Sequence, residues 1–331
     1  MTRDNLRKVR ALALGALFGA AALASVPEPA LANQQIADQY PDSLLYSHPV
    51  EVVPDVWTAI GQTGPGTYEN AGHNNNLTFI ITGEGVVVVN GGAAYLLAKA
   101  LHDEIKLITD QEVVLVIDEN GQGHAMLGNS YWAEQGVPIL AHEDAAHEFE
   151  EYGAQSLASM KASSKERAEG TTIALPTETF SDRKDLKIGR FTIEVLHLGP
   201  AHSPGDIQVW LPEEKLVIAG DMAFHERMPP IFPETDTKGW IETWENEFEA
   251  LGALYVIPGH GHPTNMAQVR LYTHDYLVYL RQKIREHIDS GGDLASAYYV
   301  DQSPYEKLDT FEELATKNAG RVYEAMEFED F

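Results

Sequence analysis

Apolar and polar residues follow two rhythms along the chain, and the changes of rhythm mark its elements. Residues 50–61 alternate weakly, as an early strand does. The β-rich runs 77–82 and 85–90 are joined at Gly83-Glu84, which predicts a hairpin. From residue 93 to 109 the spacing turns helical, with Leu96, Leu97, Ala100, Leu101, Ile105 and Ile108 on one face. Val113–Ile117 is wholly apolar, the pattern of a strand covered on both faces. A helix near 128–135, a strand at 138–141 and a helical stretch at 143–166 follow, and 167–185 reads as irregular connection. The second half repeats the grammar, with strands at 187–197, 206–211, 215–219 and 254–257 and a helix at 238–251. A long helix at 265–290 and a last one at 310–327 close the chain. Two successive β-then-α halves predict an α/β layered sandwich with helices outside two central sheets.

Composition narrows the function. With 331 residues and 44% apolar content, the chain can bury one large core or two smaller ones. Fifty acidic against 23 basic side chains give a net charge of −27, which repels phosphate backbones and anionic lipid. Neither nucleic acid nor a membrane surface is therefore expected as a partner; a small-molecule substrate is, and the oligomeric state is left open. The absence of cysteine removes disulfides, thiolate metal sites and thiol nucleophiles together.

The N-terminus has the make-up of a secretory signal. Arg3, Arg7, Lys8 and Arg10 precede an apolar run, and Ala30-Leu31-Ala32 is a small-x-small cleavage site. Residues 1–32 are expected to be removed, leaving a periplasmic or secreted chain two charges more negative than the whole.

The candidate chemistry lies on Gly- and Pro-rich loops after strands. His202 stands in Gly-Pro-Ala-His-Ser-Pro-Gly-Asp (199–206), Asp221 follows the apolar run 216–219, and His260 follows the run 254–257. Loops of this kind let a rigid scaffold aim several ligands at one point. Imidazole with carboxylate suits zinc or ferrous iron.

Taken together, these segments and the 76–90 hairpin resemble the metallo-β-lactamase superfamily from about residue 53 to 263. The resemblance implies a four-layer αββα sandwich with the active site at one edge. It divides the chain into a signal peptide (1–32), an N-terminal extension (33–48) and a metallo-β-lactamase-like domain with C-terminal helices (49–331). The departure lies in the superfamily's main metal motif, His-x-His-x-Asp-His. Here Asn120 and Gln122 stand for the two leading His, His124 for the Asp and Ala125 for the last His, while Asn90 replaces the Asp that ends the hairpin. Amide oxygens are weak zinc ligands beside imidazole, so the first of the family's two metal sites is expected to be empty. His124, Asp221 and His260 remain for one divalent metal, zinc or iron, with His202 able to lean in as a fourth ligand.

Three readings stay open. One is a mononuclear hydrolase of an ester, lactone, amide or similar substrate, with Asp221 orienting the water and Asn120 stabilising the oxyanion. Another is a metal-free binding protein or pseudoenzyme using the same pocket. The third is a non-haem iron oxidoreductase on His124, Asp221 and His260. Gln122, His73 and His225 are candidate pocket residues, with His73 expected on a solvated loop at the site's mouth. His142 and His147 are expected at the surface.

Overall fold

In the computed structural model, which describes residues 43–327 and 329, the first half of the chain builds one sheet and the second half another. The expected signal peptide lies outside the described residues. Strands β1 (Val50–Val53) and β2 (Val56–Ala59) form a hairpin where one strand was expected. Its turn residue Asp55 takes a left-handed φ of 69°. The hairpin of β3 (Leu77–Ile81) and β4 (Val86–Val89) follows as expected. Helix α1 (Tyr95–Ile108) crosses to β5 (Val113–Ile117), parallel to β4. Short helices α2 (Gly123–Met126) and α3 (Asn129–Glu134) lead to β6 (Ile139–His142), α4 (Glu143–Ser164) and β7 (Glu178–Phe180). The seven strands lie in sequence order.

The second sheet contains β8 (Arg183–Ile188), β9 (Phe191–Leu196), β10 (Gln208–Leu211), β11 (Leu216–Phe224) and β12 (Tyr255–His260). Its order is β12-β11-β10-β9-β8, with β11 and β12 parallel. Helices α5 (Thr237–Thr243), α6 (Met266–Tyr272), α7 (His274–Asp289), α8 (Leu294–Ala297) and α9 (Phe311–Met326) accompany it.

The strand pattern explains the four layers. In β4, Val87 and Val89 enter the core between the sheets, where they join Ile193, Val209 and Ile218. Val86 and Val88 point the other way, into a core shared with Leu97, Leu101 and Trp132 of the first helical layer. In β11, Val217 and Ala219 meet Trp240, Leu280 and Val322 of the second helical layer. A strand apolar on both faces must be covered twice, and each fully buried Val or Leu contributes about 1.5–3 kcal/mol. The αββα sandwich implied by the sequence is the observed fold.

Local corrections follow from tertiary pairing. The 167–185 segment contains β7 and the start of β8, polar edge strands with few apolar residues to mark them. The long helix breaks at Thr273, whose Oγ1 accepts from Phe224 N (2.8 Å) and donates to Phe224 O (3.1 Å). That hydroxyl ties the α6–α7 junction to the end of β11 in place of uninterrupted helix. His142, expected at the surface, is buried and accepts from Asp144 N at the start of α4.

Candidate metal centre

Asp221 is not on a loop after its strand but inside β11, while His260 ends β12 and His124 sits in the first turn of α2. One ligand atom from each of these three residues lies within 4.8 Å of the other two. All three come from segments that the core holds still. Close backbone approach fixes the parallel pair: a Cβ at Gly259 would stand 2.4 Å from Asp221 Oδ1. Asn76 clamps the His260 turn, donating through Nδ2 to Pro258 O (2.7 Å) and Gly261 O (2.8 Å).

The cluster is buried at the floor of a cavity, and burial dominates its electrostatics. Burial opposes the charge on Asp221, yet His124, His260 and His202 around it outweigh that and hold its carboxyl well below the usual range. Burial lowers His260 to about 4, so its imidazole is neutral at pH 7. Its Nδ1 lies 2.5 Å from Asn74 O and must donate there, because a bare nitrogen lone pair at that distance from a carbonyl is repulsive. The Nε2 lone pair is thereby aimed at Asp221 Oδ1, 3.2 Å away. His260 Nε2 and Asp221 Oδ1 thus face each other across a gap that a cation can fill. A ring N–H fixed by a backbone carbonyl is also how metal-bound histidines are commonly oriented. Buried His124 Nε2 and Asp221 Oδ1 have no hydrogen-bond partner. These residues fit a divalent metal.

His202 stands outside the trio. Its Nδ1 is 3.6 Å from Asp221 Oδ2 and 3.2 Å from Gln122 Nε2, and its ring is walled in by Phe224, Phe232 and Trp240. Asp206 shapes that loop, accepting from Ser203 N (2.6 Å) and Ser203 Oγ (2.8 Å). Asn120 is fully buried; its amide donates to Asp221 Oδ2 (3.3 Å), and its Oδ1 accepts from Gln122 N (3.0 Å). It orients the carboxylate and does not line the cavity over the cluster. That cavity, about 420 Å³, is lined by Gln122, His124, Asp221 and His260, with Pro230, Ile231 and Phe232 forming an apolar side. His73 is not a mouth residue: it is fully buried, and its Nδ1 accepts from Tyr46 N (2.8 Å). His225 is likewise turned away, its Nδ1 against His262 O (2.8 Å) and its ring edge-on to Tyr272.

Two residues of the site escaped the sequence reading. Glu119 is 1% exposed, and its Oε1 lies 3.4 Å from His124 Nε2. Burial raises its pKa, and Asp221 adds to the rise. Asn90 Nδ2 donates to Glu119 Oε1 (2.8 Å), so the amide at 90 suits the carboxylate at 119, where an Asp would repel it. The acid pair Asp118-Glu119 ending an apolar strand was the available signal. Burial opposes the charge on His124, but Asp221 and Glu119 outweigh it and hold its pKa above the ordinary value. The second missed residue is Arg227, 6% exposed on the cavity wall; nothing in its polar neighbourhood marks it in the sequence.

Comparison with known proteins agrees with the fold. Residues 126–262 match the family model of the metallo-beta-lactamase superfamily, a match that begins just past the altered loop. A type 2 metallo-beta-lactamase from Bacteroides fragilis is 23% identical over 193 residues, 55% of this chain and 70% of that protein. A linear primary-alkylsulfatase from Pseudomonas sp. (strain ATCC 19151) is 24% identical over 130 residues, 37% of this chain and about a quarter of the sulfatase's length (24%). The metallo-beta-lactamase from Pontibacter korlensis superposes with a TM-score of 0.56 at 20% identity, covering 70% of this chain and 98% of that one. The inverting sec-alkylsulfatase Pisa1 from Pseudomonas sp. gives 0.63 at 17% identity, covering 85% of this chain and 50% of its own. The superfamily resemblance read from the sequence therefore holds.

Proposed function

We propose that this chain is a hydrolase working with one divalent cation, zinc or ferrous iron, held by His124, Asp221 and His260. The observation that carries the reading is the convergence of His124, Asp221 and His260, whose ligand atoms lie within 4.8 Å of one another, with His124 Nε2 and Asp221 Oδ1 buried and without hydrogen-bond partners. A divalent cation there supplies a water acidified towards a pKa of about 7 and a Lewis acid for developing negative charge. Asp221 orients the attacking water, and Asn120 holds Asp221 through its Oδ2. Asn74 O fixes the His260 ring, and Glu119 steadies His124. Ile231 and Phe232 keep one side of the cavity apolar and limit competing water.

The likeness to proteins named as a β-lactamase and an alkylsulfatase supports hydrolysis as the reaction type, although fold alone does not fix a reaction. The substrate is a small ester, lactone, amide or similar electrophile. Strong β-lactam hydrolysis is not expected, because Asn120 and Gln122 leave His202 without imidazole partners for a second cation. The basic and apolar N-terminus supports export, and N-terminal sequencing of the mature protein should then begin at Asn33.

Elemental analysis after zinc loading tests the reading. One equivalent per chain, lost in His260→Ala, is the expected result. No metal uptake would overturn it in favour of a metal-free binding pocket. Iron in anaerobically purified protein, with oxygen uptake on turnover, would replace hydrolysis by oxidation.

A further inference from the structure

Glu119 stands closer to the cluster than a mere support of His124 needs to. Its Oε1 lies 3.4 Å from His124 Nε2, the buried nitrogen that has no hydrogen-bond partner. The same nitrogen is 3.6 Å from Asp221 Oδ2, and His260 Nε2 is 3.2 Å from Asp221 Oδ1. Donor atoms bound to one cation at about 2.1 Å sit about 3.0 Å apart at right angles and about 3.4 Å apart in a tetrahedron. Glu119 therefore meets His124 at the spacing by which Asp221 meets both histidines. That is the spacing of neighbouring ligands.

The carboxylate is also held in place and left unsatisfied. Asn90 Nδ2 donates to Oε1 (2.8 Å), while Oε2 is buried without a partner in a side chain 1% exposed. An unmade bond at a buried carboxylate oxygen is costly, and a cation would remove that cost. Oε2 lies against Gly220, where a Cβ would come within 1.7 Å of it. The residue before Asp221 must be glycine for this second carboxylate to reach the cluster.

Charge points the same way. A divalent cation on Asp221 and two neutral imidazoles leaves one positive charge buried, and Arg227, 6% exposed and 3.2 Å from His260 Nδ1, adds another. Uncompensated buried charge is strongly unfavourable. Glu119 as a second carboxylate brings the cation and its ligands to zero.

We infer that Glu119 is a fourth protein ligand to the cation, completing a set of two imidazoles and two carboxylates that opens the site to manganese(II) as well as zinc. This role rests on the metal centre proposed above and adds a ligand to it. Imidazole suits zinc, whereas carboxylate oxygen suits the harder manganese(II), so each added carboxylate narrows the advantage of zinc.

Zinc(II) and manganese(II) are titrated separately into metal-stripped wild type and Glu119→Gln, with circular dichroism as the check on folding. Competition with a chromogenic chelator reads zinc, and electron paramagnetic resonance of the free ion reads manganese. The visible spectrum of the cobalt(II)-loaded protein reports the donor set. In Glu119→Gln, zinc binding should weaken about 10- to 100-fold and manganese binding at least tenfold more than that, with a changed cobalt spectrum. Equal losses for both metals with the wild-type cobalt spectrum would reduce Glu119 to a neighbouring charge and overturn the proposal. Should Glu119→Gln fail to fold, difference infrared spectra of wild type carrying isotope-labelled glutamate decide. A glutamate carboxylate band must shift when zinc binds, and an unmoved band overturns the proposal. Wild type that takes up neither metal sinks the whole centre, whereas zinc uptake with an indifferent Glu119 sinks this ligand alone.

Discussion

The loop after β5 and the ends of β11 and β12 contribute to the same cluster, yet the two regions hold their residues by different means. Asp221 and His260 sit within strands that pair in parallel, with Gly259 packed against Asp221 and Asn76 gripping the turn beyond His260. A change there disturbs the sheet as well as the site. The 120–122 segment is a loop held by side-chain bonds and close packing: Asn120 Oδ1 accepts from Gln122 N, its Nδ2 donates to Asp221 Oδ2, and a Cβ at Gly121 would stand 2.5 Å from Ala145 O. It carries two amides, Asn120 and Gln122, in place of ligands fixed by strand pairing.

The comparison can be broken from either side. Removing a strand ligand should have the largest effect: Asp221→Ala is expected to weaken metal binding by roughly three orders of magnitude, read as zinc retained after dialysis against a mild chelator. Next, restoring the loop should add a site. Asn120→His/Gln122→His places two imidazoles beside His202, and bound zinc should rise from one equivalent to two by elemental analysis; an unchanged count would show that this loop is no longer free to receive a cation. Glu119→Gln keeps the shape but removes the negative charge beside His124 Nε2, and should lower zinc affinity about 10- to 100-fold, measured by competition with a chromogenic chelator.

A smaller effect concerns stability away from the cluster. Burial lowers His73 to about 4 in the folded chain against an ordinary 6.5. The unfolded chain therefore takes up this proton first as pH falls. The contribution is fully present above about pH 6.5 and is lost as pH drops towards 4, by about 3 kcal/mol in total. Urea unfolding at pH 7 and pH 4.5 should show a smaller difference in His73→Gln than in wild type.

Much of this arrangement was legible in the residues. The wholly apolar Val113–Ile117 run of β5 announced a strand covered on both sides, the runs 77–82 and 85–90 announced the β3–β4 hairpin, and Gly-Asp and Gly-His after apolar strands announced ligands. The pairing of His124 with Asp221 and His260 followed from the altered motif. Arg227 was not legible, because a guanidinium in a polar stretch shows its burial only when α9 and the 229–231 segment close over it. His73 was misjudged for a similar reason: its asparagine-rich neighbourhood looks solvated, yet Tyr46 and the 74–76 turn enclose it. Edge strand β7 and the start of β8 were missed because β7 is only three residues long and the half-buried positions of β8 include Lys184, leaving few apolar residues to mark them.

Asn318 of α9 bonds Ile231 N (3.0 Å), Pro229 O (2.8 Å) and Tyr276 Oη (2.9 Å), fastening the last helix over the cavity. On a chain made from its N-terminus, the ligand set is complete at His260, some fifty residues before that helix exists. The cation's berth can thus form while the chamber above it still lacks a wall. The berth and the wall of the chamber above it are contributed by separate stretches of the chain.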